Sequence, residues 1–227
     1  MKSNMKLGMQ LYHSGRFEQA LNEFKSMEDA TGCHPELGYF IGLCLTQLER
    51  YEEAIVYLGQ VANSEFSFLH VFQSRMVLGY IYSVTERYKL AELEFKEVIE
   101  GGFESTQAYA ALGFVLYCQN EVDDSVLYLK KALEVDPANA NALNSLAYVL
   151  AEENIDLSHA LKLCRKCVEL APDNPAYLDS LGWILYKSGK ISEARTYLRK
   201  ALDLSPRNKE IAFHMKKVIE KLSHDSS

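Results

Sequence analysis

Cysteine offers the most reactive chemistry in this chain, and Cys164 and Cys167 stand in a Cys-x-x-Cys spacing. That spacing suits a redox dithiol or half of a metal site. A structural zinc needs two further ligands at matching spacing, and no second pair is present. Cys33 and His34 with Cys44 make a metal fragment that lacks a fourth ligand. Cys118 has no base fixed beside it in sequence, so nothing marks it as a nucleophile. Five Cys, an odd number at irregular spacing, do not form a disulfide framework. No GxGxxG, P-loop or HExxH occurs, and the acidic residues are scattered as solvated faces usually are. The expectation is a chain that is not an enzyme, with no catalytic residue, no metal site and no cofactor.

Bulk properties narrow the partners. The 227 residues carry 24 Lys+Arg against 31 Asp+Glu, a net charge of −7. Such a balance repels phosphate backbones, so nucleic acid is not an expected partner. No run of about 18 apolar residues occurs, so no membrane span is expected. The start, MKSNMKLGMQLY, lacks the apolar stretch of a secretory signal. A cytoplasmic, reducing location is the expectation, with a periplasmic protein stripped of its leader as the alternative.

The elements that must position these side chains show as a repeat. The stretch Pro175–Pro206 holds two apolar-periodic segments around Ser188-Gly189. Leu178, Leu181, Gly182 and Leu185 share one helical face, and Ala194, Leu198 and Ala201 share another. The small residue recurs as Gly8, Gly42, Gly79, Gly113, Ala147 and Gly182, spaced 34 to 37 residues apart. Leu or Ile precedes each one. A second small column runs Ala20, Ala54, Ala91, Ser125, Ala160 and Ala194. Phe24, Leu58, Phe95, Leu129, Cys164 and Leu198 follow four residues on, then Met27, Val61, Val98, Ala132, Cys167 and Ala201. Cys164 and Cys167 therefore fall in core columns, where free Cys behaves as a small buried hydrophobe.

These columns resemble the tetratricopeptide repeat, whose 34-residue unit is a helix–turn–helix that buries its apolar face only against neighbours. The resemblance implies an all-α fold, a right-handed superhelical solenoid of six units. Their spans are about 1–34, 35–71, 72–105, 106–139, 140–174 and 175–208. The stripe Ile211, Met215, Val218 and Leu222 predicts an amphipathic capping helix over 209–222. The array is read as one domain, 1–223, with 223–227 as a disordered tail. Unit two is three residues longer than its neighbours, in NSEFSFLHVF, and an extended helix is the simplest account. Unit five has one extra residue in its inner turn, AEENIDLSHA.

In such arrays the first helices line a concave groove at fixed offsets from the small column. Carried over, the offsets give Met5, Met9, Tyr12, Tyr39, Leu43, Met76, Tyr80, Phe114, Tyr117, Asn144, Tyr148, Trp183 and Tyr186 as partner-binding residues. The column three before the small residue reads Met5, Tyr39, Met76, Ala110, Asn144 and Asp179. It contains no Lys or Arg, which argues against a clamp for a chaperone's C-terminal carboxylate. An aromatic groove suits a peptide or helix with apolar anchors. The expected function is a non-catalytic scaffold or adaptor for a protein partner. The wording of units five and six is similar to repeats of bacterial proteins that build envelope or motility machinery. The alternative is a homo-oligomer, formed through the Met-rich first helix or through a Phe66–Phe72 patch.

Overall fold

The structure, a computed structural model, describes residues 2–32 and 34–225. The Cys33 part of the metal fragment lies outside them. Among the described residues all regular structure is α-helical. The first six helices are α1 (Lys2–His13), α2 (Phe17–Thr31), α3 (Pro35–Gln47), α4 (Tyr51–Ala62), α5 (Phe68–Val84) and α6 (Tyr88–Glu100). Then follow α7 (Thr106–Cys118), α8 (Val122–Val135), α9 (Ala140–Glu152), α10 (Leu157–Leu170), α11 (Pro175–Lys187), α12 (Ile191–Leu204) and α13 (Lys209–Asp225). They fall into two compact units, 1–104 and 105–227. Within each unit successive helices pack as antiparallel hairpins. The first helices also meet one another: α3 touches α5, and α7, α9, α11 and α13 touch in series.

The hairpin turn is built the same way six times. Gly15, Glu49, Glu86, Asn120, Asn154 and Gly189 all have positive φ, between 52° and 76°. The next N–H then reaches back over the helix end, as Arg50 to the Leu45 carbonyl at 2.9 Å and Lys190 to Leu185 at 2.9 Å. This left-handed cap satisfies carbonyls that a helix end leaves open. In unit five the reaching residue is Ile155. The extra residue, Asp156, then caps α10 by accepting the His159 N–H at 2.8 Å. The helices α4, α6, α8 and α12 start without a side-chain cap.

Small residues set the hairpin spacing. A Cβ added at Gly42, Gly79, Gly113 or Gly182 would lie 2.5–2.7 Å from Leu58, Phe95, Leu129 or Leu198. The second-helix columns are buried throughout, from Ala20 to Ala201. Each fully buried Leu or Phe contributes about 1.5–3 kcal/mol. Ser125 takes the place of an alanine there because its hydroxyl donates to the Gly113 carbonyl at 2.7 Å.

Three details refine the sequence reading. The residue before the small column is buried in five units, but Leu7 is 45% exposed because α1 packs chiefly on α2. The extra length of unit two is an extended helix, as expected: an added N-terminal turn on α5, which has 17 residues against 13 for α3 and α7. Phe72 is thereby buried, stacked on Phe103 at 5.4 Å, and leaves the proposed Phe66–Phe72 surface patch. Finally, α13 runs to Asp225, three residues into the stretch read as a disordered tail.

Candidate interaction surface

Three of the cysteines are packing residues. Cys44, Cys164 and Cys167 are fully buried and carry no disulfide. Cys164 Sγ donates to the Tyr177 carbonyl at 3.6 Å, and Cys167 Sγ to the Leu163 carbonyl at 3.3 Å. Burial pushes the Cys44 and Cys167 thiols up to about 12, and that of Cys164 up as well. A thiol so held is protonated near neutrality, the opposite of a reactive thiolate.

In unit 1–104 the candidate groove residues divide into three groups. Met5 and Met9 line a cavity of about 740 Å³ with Met27, His34 and Leu37, at the N-terminal end of the unit. Leu43, Met76 and Tyr80 line another, of about 330 Å³, beside Thr46 and Tyr51. Tyr80 is 51% exposed there. Tyr12 and Tyr39 are tied to neighbouring rings: Tyr12 meets Phe17 edge-on at 5.3 Å, and Tyr39 meets His70 at 5.0 Å. Burial raises both phenols above their ordinary range.

In unit 105–227 Phe114, Tyr117, Asn144 and Tyr148 come together around a cavity of about 220 Å³ between α7, α9, α11 and α13. Phe114 stays 48% exposed. Trp183 does not join them as an open ring. It is only 9% exposed, stacked on Tyr186 at 5.1 Å and on His214 of α13 at 4.2 Å. Its indole N–H donates to Glu152, which also pairs with Lys187 at 3.0 Å. The reason is α13 itself: its stripe Ile211, Met215 and Val218 buries against α11 and α12, and the adjacent His214 lands on Trp183.

The sequence reading missed His214 and undervalued Asp179 and Glu210. His214 Nδ1 lies 2.9 and 3.0 Å from the two Asp179 oxygens, with both side chains buried. The Tyr148 hydroxyl donates to Glu210 at 3.5 Å. One signal was available, a histidine at the edge of an otherwise apolar stripe. Its partner stands 35 residues away on another helix, beyond any spacing rule.

Helical hairpins joined by a left-handed turn, interlocked small against large, and presenting their first helices side by side define a helical-repeat binding module. Tetratricopeptide repeat models match residues 37–66, 111–175 and 175–208. The chain belongs to the tetratricopeptide repeat family. It is 44% identical over 87 residues to TPR repeat-containing protein PA4667 of Pseudomonas aeruginosa, which covers 38% of this chain and 15% of that protein. It is 26% identical over 173 residues to the Homo sapiens Protein O-mannosyl-transferase TMTC1, covering 74% of this chain and 19% of that protein. The chain thus spans under a fifth of the length of these relatives. Among solved structures, YrrB, described as a TPR protein with an unusual peptide-binding site, superposes with a TM-score of 0.60 at 22% identity. That match covers 86% of this chain and 97% of YrrB. Cut9 with Hcn1 of the APC/C gives 0.80 at 12% identity, over 95% of this chain and 42% of that one. At these identities the structural likeness carries the fold alone. Family and fold together support protein partners. No helix among the described residues is long and apolar enough to cross a membrane.

Proposed function

We propose that this chain is a non-catalytic scaffold that holds a peptide or helix of a partner protein against the first-helix faces of its repeats. The observation that carries this reading is the pair of exposed rings, Tyr80 and Phe114, 51% and 48% accessible, each beside a cavity in its own unit. Large exposed aromatics next to surface hollows are a common form of anchor pocket. The unusual peptide-binding site described for YrrB favours the same mode for this fold. One relative is named a transferase, but it matches at 26% identity over 19% of its length. The protonated, buried thiols of this chain favour a binding role over thiol chemistry. The similarity to a Pseudomonas aeruginosa protein favours a bacterial setting, with assembly of an envelope or motility complex as the finer proposal.

The test is capture of partners from the source cell by the full chain and by Phe114→Ala and Tyr80→Ala variants. Both side chains are exposed, so the thermal melts should match. Loss of about 2 kcal/mol or more in partner affinity is expected for whichever ring is an anchor. Undiminished capture by both variants would remove the reading. Self-association is the second reading, favoured by the Met5–Met9–Met27 cavity of about 740 Å³ and by Phe68, which is 67% exposed. Light scattering across concentration separates it: a concentration-dependent mass that Met9→Glu or Phe68→Glu abolishes would support it.

A further inference from the structure

The cavity in unit 105–227 has a chemistry of its own. Its wall carries two carboxylates, Asp179 and Glu210, and no lysine or arginine. Glu210 is exposed, receives only the long 3.5 Å bond from Tyr148, and has no basic partner among the described residues. Asp179 is 6% exposed and, among the described residues, its only polar side-chain partner is His214. An oxygen of each carboxylate and a ring nitrogen of His214 lie within 4.8 Å of one another. Tyr117 and Tyr148 form an aromatic corner on the same wall, centroids 6.1 Å apart and planes at 88°. Ser180 lines the cavity at 5% exposure, and its hydroxyl has no hydrogen-bond partner among the described residues.

Each of these favours a positive, hydrogen-bond-donating guest. Aromatic ring faces are negative and attract cations. Two carboxylates close together can divide the donors of a guanidinium, a planar fork that also stacks on rings. Burial, and then the carboxylates of Glu152 and its neighbours, hold the Tyr117 phenol up at about 12. Tyr148 is pushed up by burial, then by Glu152 and Glu210. Burial is the larger cause at both phenols, and only the smaller carboxylate contribution reflects negative charge beside the rings.

We propose that this cavity receives an arginine side chain of the partner segment, its guanidinium bridging Glu210 and Asp179 and resting on the Tyr117–Tyr148 corner. The proposal rests on the peptide-scaffold reading above and names the side chain that reading leaves open. A divalent metal is the competing occupant of Asp179, Glu210 and His214. In that trio His214 Nδ1 faces both Asp179 oxygens at 2.9 and 3.0 Å, and its ring is stacked on Trp183 at 4.2 Å. A guanidinium can dock beside that pair without displacing it, where the exposed Glu210 and the rings stand; the zinc arm of the titration separates the two occupants.

The experiment titrates N-acetyl-arginine amide and N-acetyl-citrulline amide into the full-length chain, followed by backbone amide NMR shifts. The two probes share shape and differ in charge. The expected result is saturable binding of the arginine probe, with shifts confined to residues around the cavity. Citrulline should bind about tenfold more weakly, and Glu210→Gln should lose about as much for arginine with an unchanged melt. Equal binding of the two probes, or full arginine affinity in Glu210→Gln, would overturn the proposal. So would saturation of the same resonances by Zn²⁺ alone with arginine excluded. If the arginine probe fails while partner capture still depends on Phe114, the cation assignment falls and the scaffold reading stands. If arginine binds while capture ignores Phe114 and Tyr80, the scaffold reading falls instead.

Discussion

Tyr80 in unit 1–104 and Trp183 in unit 105–227 hold the same place in the repeat, one residue after the small column. Yet Tyr80 is 51% exposed and Trp183 only 9%. The repeat fixes where a side chain leaves its helix and toward which face. What lies across that face decides whether it meets solvent. Over Trp183 lies α13, with His214 stacked on the indole and held there by Asp179. Tyr80 borders a cavity of about 330 Å³ with Leu43 and Met76. A periodic position is therefore a placement, and its role as core or as contact surface depends on the neighbouring helix.

That comparison yields the largest expected effect. Trp183→Ala should destabilise unit 105–227 by about 3–5 kcal/mol, the range for removing a buried aromatic. Tyr80→Ala should change stability by no more than about 0.5 kcal/mol, as exposed positions do. Denaturant unfolding of both variants checks this. Similar losses for the two would mean that exposure at this column does not separate core from surface.

A second contrast lies within unit 105–227. Gly113 and Gly182 face Leu129 and Leu198 so closely that a Cβ would sit 2.6–2.7 Å away. In unit five the small residue is Ala147 and the facing column holds Cys164. Size has moved from one helix to the other. Cys164→Leu should therefore overpack and cost about 1–3 kcal/mol. Adding Ala147→Gly should return part of that loss, a coupling that a double-mutant cycle measures. Strict additivity would show that the two columns do not share the same space. This also gives the buried Cys-x-x-Cys pair a packing role: the second helix of unit five places small apolar side chains where the glycine is missing.

The columns made the hairpins legible because small-on-large packing must repeat wherever two helices cross at the same distance. The capping helix was legible from a different signal, the apolar stripe of Ile211, Met215 and Val218 at helical spacing. The state of the inner face was not. Trp183, Tyr148 and Tyr80 read alike in sequence, since each is a large ring at one offset. Their difference comes from His214, Glu210 and Asp179, groups on separate helices whose meeting depends on how α13 lies on α11. Phe72 is a similar case. In sequence it stands near Phe66 and Phe68, and only the added turn of α5 shows that it points at Phe103.

The two units share one alkaline response. Cys44 in the first and Cys167 in the second are both raised from 9.0 to about 12 by burial. The folded chain thus keeps its protons where the unfolded chain releases them. Their contribution is fully present below pH 9 and is lost as pH rises from there toward 12. Denaturant midpoints should fall over that window in the wild type, and less steeply in Cys44→Ala and Cys167→Ala. A pH-independent midpoint between about 8 and 11 would contradict the buried, protonated state of these thiols.

The smallest effect tests the turn that every hairpin shares. Gly15 and Gly189 take the left-handed position at φ 75° and 76°, but Glu49 and Glu86 in unit 1–104 take it at 58° and 59°. For a residue with a Cβ that conformation costs about 1–2 kcal/mol, a cost glycine does not carry. Glycine also has more freedom to lose from the unfolded chain, which offsets part of the gain. Glu49→Gly and Glu86→Gly should each stabilise unit 1–104 by a net of about 0.5–1 kcal/mol. At the asparagine positions, Asn120 and Asn154, the gain should be smaller, because Asn tolerates left-handed backbone better than Glu does. Thermal melts of the four glycine variants give the order directly. A larger gain at Asn120 than at Glu86 would mean that side-chain contacts, and not backbone strain, decide which residue stands at the turn.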